Sequence, residues 1–350
     1  MCVRRGVVYA LIGAVLSVVV ALTAQRPVQA QDATQHSWLV PELANKAKSD
    51  GALIVYGSMN EQEALPLWKL FEDATGVKVN YVRSSDTQIM AKVAIENRAN
   101  QRTWDIAFTT TVPQLPQPYL APFDPPEAKG LMAEARDPNR RWYGGYANYN
   151  APAYNTTLVK PAELPKRYED FAAHKEWAGK IAIDMSDNEW LAAICATYGE
   201  ARGLALVKSI ADALNPVVVD GHLALARSVG AGEYWLALNN FLPLTLNVKM
   251  SGGPTDFWLI EPVPLIFRAV GVNVLAPHPN AARLAGNFVL SQEAETFMTR
   301  KGRLPTRPDV ATNPPEVGAM LKAAKVMPVV FNDNDQRKWQ KAFNETFGRH

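Results

Sequence analysis

Apolar residues fall into short runs and helical stripes that alternate along the first third of the chain. Residues 52–56, Ala-Leu-Ile-Val-Tyr, form a run suited to a strand buried on both faces, and Gly57-Ser58-Met59-Asn60 breaks it. Ala64, Leu67, Trp68, Phe71 and Ala74 follow at three- and four-residue spacing, which predicts a helix. Pro66 cannot sit deep in a helix, so the regular part is expected to begin near Leu65, and Gly76 is its natural stop. Val77, Val79 and Tyr81 then alternate as a strand, Ser84-Ser85-Asp86 offers capping residues, and Ile89, Val93 and Ala94 mark a second helix. Residues 104–108 predict a third strand, closed by Thr109-Thr110-Thr111. Strands and helices alternating at these intervals predict a parallel sheet with helices on its faces. In such sheets the loops at the carboxyl ends of the strands hold ligands.

A Pro-rich passage over 112–126 and an aromatic, Gly-rich stretch over 142–150 interrupt the rhythm. A second series follows. Residues 180–184 read as a strand, Ser186-Asp187 as the cap of a helix over 189–199, 217–219 as a strand and 223–229 as a short helix. Residues 234–238 read as a further strand ending in Asn239-Asn240. The apolar segment 265–275 is suited to cross between lobes. Ala281, Leu284, Ala285, Phe288, Val289 and Phe297 predict one helix over 279–300, stopped by Gly302. Two α/β series joined by extended segments predict two lobes with a cleft between them. The expected division is a flexible lead over 31–46, a discontinuous lobe 1 over 47–145 and 272–308, and lobe 2 over 146–271 and 309–350.

The N-terminus changes the picture of where this happens. Arg4 and Arg5 precede an apolar run of about 18 residues, and Val28-Gln29-Ala30 places small residues at the −3 and −1 positions of a cleavage site. This reads as a cleaved secretory signal over 1–30, with an uncleaved anchor as the alternative; the twin arginines leave the export route open. Cleavage would remove Arg4, Arg5 and Arg26 and no acid, so the formal charge falls from +2 to −1. A near-neutral chain with no basic stripe argues against a nucleic-acid partner. Only Cys195 would remain of the two cysteines, within an apolar stretch, which precludes an intrachain disulfide and suits a small buried side chain.

Candidate chemistry is mostly absent by motif. No G-x-S-x-G elbow, H-E-x-x-H, phosphate-binding loop or dinucleotide fingerprint occurs, so no catalytic residue and no cofactor is expected. The five histidines are not spaced as H-x-x-x-H and have no cysteine pair beside them, which argues against zinc. His222, after Asp220-Gly221 at a strand end, reads first as an exposed loop and in the alternative as a residue lining the cleft, and His278, between prolines, reads as structural.

Residues 53–58 with 71–79, Tyr154-Asn155-Thr156-Thr157-Leu158-Val159, and the set 276–282, 287–294 and 302–305 together resemble the extracellular solute-binding proteins of the iron(III), thiamine, polyamine and aminoethylphosphonate importers. The resemblance implies a two-lobed type II periplasmic-binding-protein fold, each lobe a mixed sheet flanked by helices, with two crossover segments. It implies a periplasmic monomer that closes its lobes on one solute and docks on an inner-membrane ABC permease with its ATPase. A ligand-binding partner of a membrane sensor is the further alternative.

Ferric members of that family typically use a His in the first loop, a Glu after the third strand and an adjacent Tyr pair. Here Asn60, Thr110 and Asn239-Asn240, followed by Phe241-Leu242, stand at those positions, and no Tyr-Tyr dipeptide occurs in the chain. Hard ferric iron prefers anionic oxygen, so no metal site is expected, and iron(III) or a ferric complex is kept as the alternative cargo. The residues expected to bind the solute are Ser58, Asn60, Ser84, Ser85, Thr109, Thr110, Tyr154, Ser186, Asp187, Asn239 and Asn240. Several precede helices, whose free N–H groups favour an anionic group, so a small organic or oxyanion solute is expected, with Arg83 adding charge. Ser84, Ser85, Ser186 and Asp187 read equally well as helix caps. Tyr154 and Trp190 are the aromatic residues expected to face the cleft, and Trp235 is expected in the core.

Overall fold

The computed structural model describes residues 36–348, so the expected signal segment and the first five residues of the expected flexible lead lie outside the described residues. Strands β1 (Leu53–Gly57), β2 (Val79–Arg83) and β3 (Ile106–Thr109) form a parallel set in the order β2-β1-β3, with helices over Glu61–Thr75 and Asp86–Arg98 between them. The first helix starts at Glu61, earlier than expected. Pro66 is accommodated on its exposed face, where loss of one backbone bond to the preceding turn is met by solvent.

The aromatic, Gly-rich stretch, which gave no strand pattern, is the longest strand of the molecule. This β5 (Trp142–Asn155) is buried at all fourteen positions. Its first half pairs antiparallel with β10 (Val263–Asn273), which in turn pairs antiparallel with β3. Its second half pairs with β8 (Leu236–Phe241), followed by β6 (Ile181–Asp184) and β7 (Val217–Val219), which run parallel to one another. The order β2-β1-β3-β10-β5-β8-β6-β7 is therefore one mixed α/β sheet divided into two lobes around β5. Each lobe has its own buried cluster, one with Trp104, Phe108, Tyr146, Phe267 and Phe288, the other with Tyr168, Phe171, Trp190 and Phe343.

Ala151 belongs to the first cluster and Tyr154 to the second, while Ile260 belongs to the second and Val263 to the first. Leu242, Leu246 and Phe257 also join the first cluster, so the two cores interleave along the chain between these points. The C-terminal helix, Asp333–Phe347, returns Phe343 and Phe347 to the second cluster.

Two further expectations change. Within the lead, Trp38 is fully buried against Phe71 and Phe288, and a helix over Pro41–Asp50 buries Ala44 and Ala47. Asp50 accepts hydrogen bonds from the amides of Asn280 (2.6 Å) and Ala281 (3.1 Å), satisfying the first turn of the helix Pro279–Val289. The single helix expected over 279–300 is two, Pro279–Val289 and Gln292–Thr299. The Ser291 hydroxyl accepts from the Ala294 amide at 3.1 Å and starts the second.

Candidate functional site

Residues of the two lobes line common pockets, Thr110 with Glu189 in one and Asn60 and Arg83 with Leu223 and Arg227 in another. In the first lobe, Ser58 follows β1, and its hydroxyl donates to Asp86 Oδ1 at 2.7 Å while accepting from Arg268. Asp86 Oδ1 also accepts from the Thr110 amide at 3.1 Å, so a single carboxylate ties the ends of β1 and β3 together. Asn60 precedes the helix Glu61–Thr75 without capping it, and its Oδ1 accepts from Arg83 Nη2 at 3.3 Å. Ser85 is a helix cap, reciprocated by Gln88, and Ser84 donates to the same Gln88 at 2.6 Å. Thr109 is buried and bonded to Thr111.

In the second lobe Asp187 is fully buried before the helix Asn188–Tyr198 and makes no side-chain cap; it accepts from Asn239 Nδ2 at 2.8 Å. Ser186 is exposed and turns back on Asp184. Asn240 donates to Thr245 at 3.2 Å, and its Oδ1 lies 2.9 Å from His222 Nδ1. His222 is not exposed loop. It opens the helix His222–Ala231, is buried, stacks on Phe241 at 3.7 Å, and holds Nε2 at 3.6 and 3.7 Å from Asp184 and Asp187. Its neighbours come from the ends of two other strands, β6 and β8, which its own sequence context does not reveal.

Two aromatic assignments are corrected. Trp190 is fully buried beside Tyr168 and Phe347, and Tyr154 packs edge-on to Trp258 in the second core. Both lie within apolar clusters, where burial of a large ring outweighs display to solvent. Trp235, expected in the core, is half-buried, with the Lys180 ammonium 3.8 Å from its ring centroid. His278 is structural as expected, with Nδ1 2.8 Å from Asp105, and Cys195 is a free, buried thiol.

Sequence reasoning missed the floor. Tyr146, Asn148 and Asn150 alternate along β5, and Arg268 of β10 pairs in register with Tyr146. The Tyr146 hydroxyl, both amide atoms of Asn148, Asn150 Oδ1 and Arg268 Nε are buried and have no hydrogen-bond partner among the described residues. A polar residue at every second position was the available signal, masked by the preceding Gly144 and Gly145 and by a polar-tipped Tyr149 among the intervening positions. Where the lobes meet, burial pushes the Glu189 carboxyl up to about 8, with the charges of Asp86 and Asp184 adding to it and its own amide opposing. Burial, then the Asp184 charge, raises Asp187 well above the usual carboxylate range. Among the described residues no three His, Cys, Asp or Glu side chains gather at metal-ligand spacing. No described helix is long and apolar enough to cross a membrane.

Residues 114–337 match the model of the family described as bacterial extracellular solute-binding protein. The chain belongs to that family. This solute-binding protein is 25% identical over 197 residues to a Fe(3+)-binding periplasmic protein of Serratia marcescens, a match spanning 54% of this chain and 57% of the relative. It shares its fold with iron-bound HitA from Pseudomonas aeruginosa (TM-score 0.73, 19% identity, 85% of this chain and 99% of the other). It shares it equally with AfuA from Actinobacillus pleuropneumoniae, solved with fructose-6-phosphate (TM-score 0.74, 19% identity, 86% and 99%). The same two-lobed frame therefore holds chemically unrelated solutes, and the side chains of this solute-binding protein must decide its own.

Proposed function

We propose that this chain is the periplasmic substrate-binding component of an ABC importer. Exported by its N-terminal signal, it captures a small organic or oxyanion solute between its lobes as a monomer. It hands the solute, unaltered, to an inner-membrane permease driven by its ATPase. Family membership supports the transport role. The observation that carries the solute class is the Asn148 side chain, buried where β5 passes between the lobes with neither amide atom partnered. A buried polar group without a partner costs about 1–3 kcal/mol, so such an amide points to a polar guest. Ser58, Asn60, Thr109, Thr110, Asn239 and Asn240, at or beside the ends of β1, β3 and β8, add neutral oxygen and nitrogen in support of this reading.

Thermal-shift measurement on residues 31–350 tests the class, because a ligand bound only by the folded state raises the melting temperature. Carboxylate and phosphonate probes are expected to raise it, and polyamines and thiamine to leave it unchanged. A second reading, ferric cargo, is favoured by the likeness to the Serratia marcescens protein. A shift with ferric salt and with none of the anions would install that reading in place of ours.

A further inference from the structure

The unpartnered atoms on the two crossing strands are not scattered. Side chains two apart on a strand share a face, so Tyr146, Asn148 and Asn150 form a row along β5, and the cross-strand partner of Tyr146 is Arg268. A register irregularity separates Arg268 from Ala269, a device that re-aims a side chain at the cost of regular pairing. The Arg268 guanidinium lies 5.4 Å from the Tyr146 ring centroid and is 7% exposed. Its Nη1 donates to the Ser58 hydroxyl and, at 3.4 Å, to the Phe108 carbonyl. Its nearest carboxylate oxygen, on Asp86, is 4.0 Å away and already accepts from Ser58 and Thr110. Nε is left with no acceptor.

An arginine is always charged, and a buried guanidinium without a close counter-ion is a large unmet demand for an anion. Arg303, the other guanidinium near the Tyr146 ring, makes the contrast: it is held by Glu63 through bonds of 2.7 and 3.2 Å. The unpartnered set is rich in donors: Nε–H of Arg268, the Tyr146 hydroxyl and the two N–H of Asn148. Its acceptors are Asn148 Oδ1 and Asn150 Oδ1. Glu189, the acid that faces the first lobe across the closed cleft, is held toward its neutral form and presents little opposing charge.

We infer that Arg268, Tyr146 and Asn148 form the subsite for an oxyanion of the solute, with Asn148 and Asn150 accepting from a hydroxyl or amine beside it. The solute class is then a small hydroxylated or aminated carboxylate, phosphonate or phosphate. This rests on the function proposed above and sharpens it, by moving recognition from the strand-end loops to the floor of the cleft.

Calorimetry and thermal shift on the mature chain test it with inorganic phosphate, methylphosphonate and glycerate as probes, and erythritol as the neutral control. Hydrogen bonds to charged groups contribute about 1.5–3 kcal/mol, so Arg268→Met is expected to weaken binding of the anionic probes about 10- to 100-fold. The ligand-free melting temperature is expected to hold or rise, because a charge kept for binding is a liability to the empty fold. Tyr146→Phe keeps the ring, removes one donor, and is expected to weaken the same probes several-fold; it decides the matter should Arg268→Met fail to fold. Anionic probes that bind either variant as tightly as wild type overturn the inference and leave the proposed solute class standing. If no anionic probe binds the wild-type protein, the solute class itself falls and the inference with it.

Discussion

Glu189 is expected to make the stability of the folded protein fall as pH rises. It sits at the start of the second-lobe helix Asn188–Tyr198, where it meets Thr110, Pro113 and Gln114 of the first lobe. Burial there raises its carboxyl from 4.5 to about 8, and Asp86 and Asp184 raise it further against the pull of its own amide. Between those two values the folded protein holds a proton on Glu189 that the unfolded chain has released. The group therefore leaves stability intact below about pH 4.5 and subtracts from it as pH climbs toward 8, at up to about 1.4 kcal/mol per pH unit. The side chain keeps some exposure, so the realised loss is expected to be about 1–3 kcal/mol across the window, less than the full shift implies.

The perturbation is Glu189→Gln, which keeps the shape and removes the titration. Thermal melts of both proteins should nearly coincide near pH 5. At about pH 8.5 the wild type is expected to melt lower by roughly 2–6 °C, taking about 2 °C per kcal/mol for a chain of this size. Asp187, raised in the same direction by burial and Asp184, is present in both, so the difference between the proteins isolates Glu189. A constant offset across that range, or a wild type that gains on the variant as pH rises, refutes the reasoning.

Other expectations follow from packing and charge. Trp38→Ala removes a fully buried ring 4.8 Å from Phe288 and 5.9 Å from Phe71 and should cost about 3–5 kcal/mol in denaturant unfolding, with solute affinity of the folded protein unchanged. A cavity of about 600 Å³ beside Asn60 is lined by Arg83, Arg227 and Lys301 together with Glu61 and with Glu63, which is already paired to Arg303, so cations outnumber free acids there. Reversing Arg83 and Arg227 to Glu should slow association of an anionic probe about tenfold at low salt in stopped-flow measurements, and the difference should vanish in high salt.

The first α/β series was legible because its signals are local. Apolar spacing, the Ser85 cap and the Gly76 stop each act within one element, and each is found where expected. The spine was not. In β5, Gly144 and Gly145 are needed because a Cβ would meet Phe267 and Phe108 at 2.9 Å, yet glycines beside Tyr and Asn weaken any strand pattern. Burial on both sides is imposed by β10 and β8, about a hundred residues away. The break at Ser291 was hidden for the opposite reason: the apolar face continues through it, and only the hydroxyl's bond to Ala294 marks a new start.

The same division between local and distant causes explains the candidate site. Strand-end serines and asparagines are visible in sequence because they sit in loops, and most prove to be occupied by their own lobe. Ser58 is taken by Asp86, Ser84 and Ser85 by Gln88, and Asn240 by His222 and Thr245, while Asn239 gives its Nδ2 to Asp187 and keeps a buried Oδ1 without a partner among the described residues. A group already bonded gains little from a solute, since it must exchange one partner for another. The atoms that gain most are those with none; on the two crossing strands these lie on Tyr146, Asn148, Asn150 and Arg268, and in the second lobe on Asp184, Asn188 and Asn239. The walls therefore shape and rigidify the cleft, while discrimination between solutes rests with the floor. That also bears on the ferric relatives. Replacing a few wall residues can remove a metal site without making a new one, but a buried guanidinium among unpaired amides must be answered by an acceptor, and the acceptor it fits best is an oxyanion.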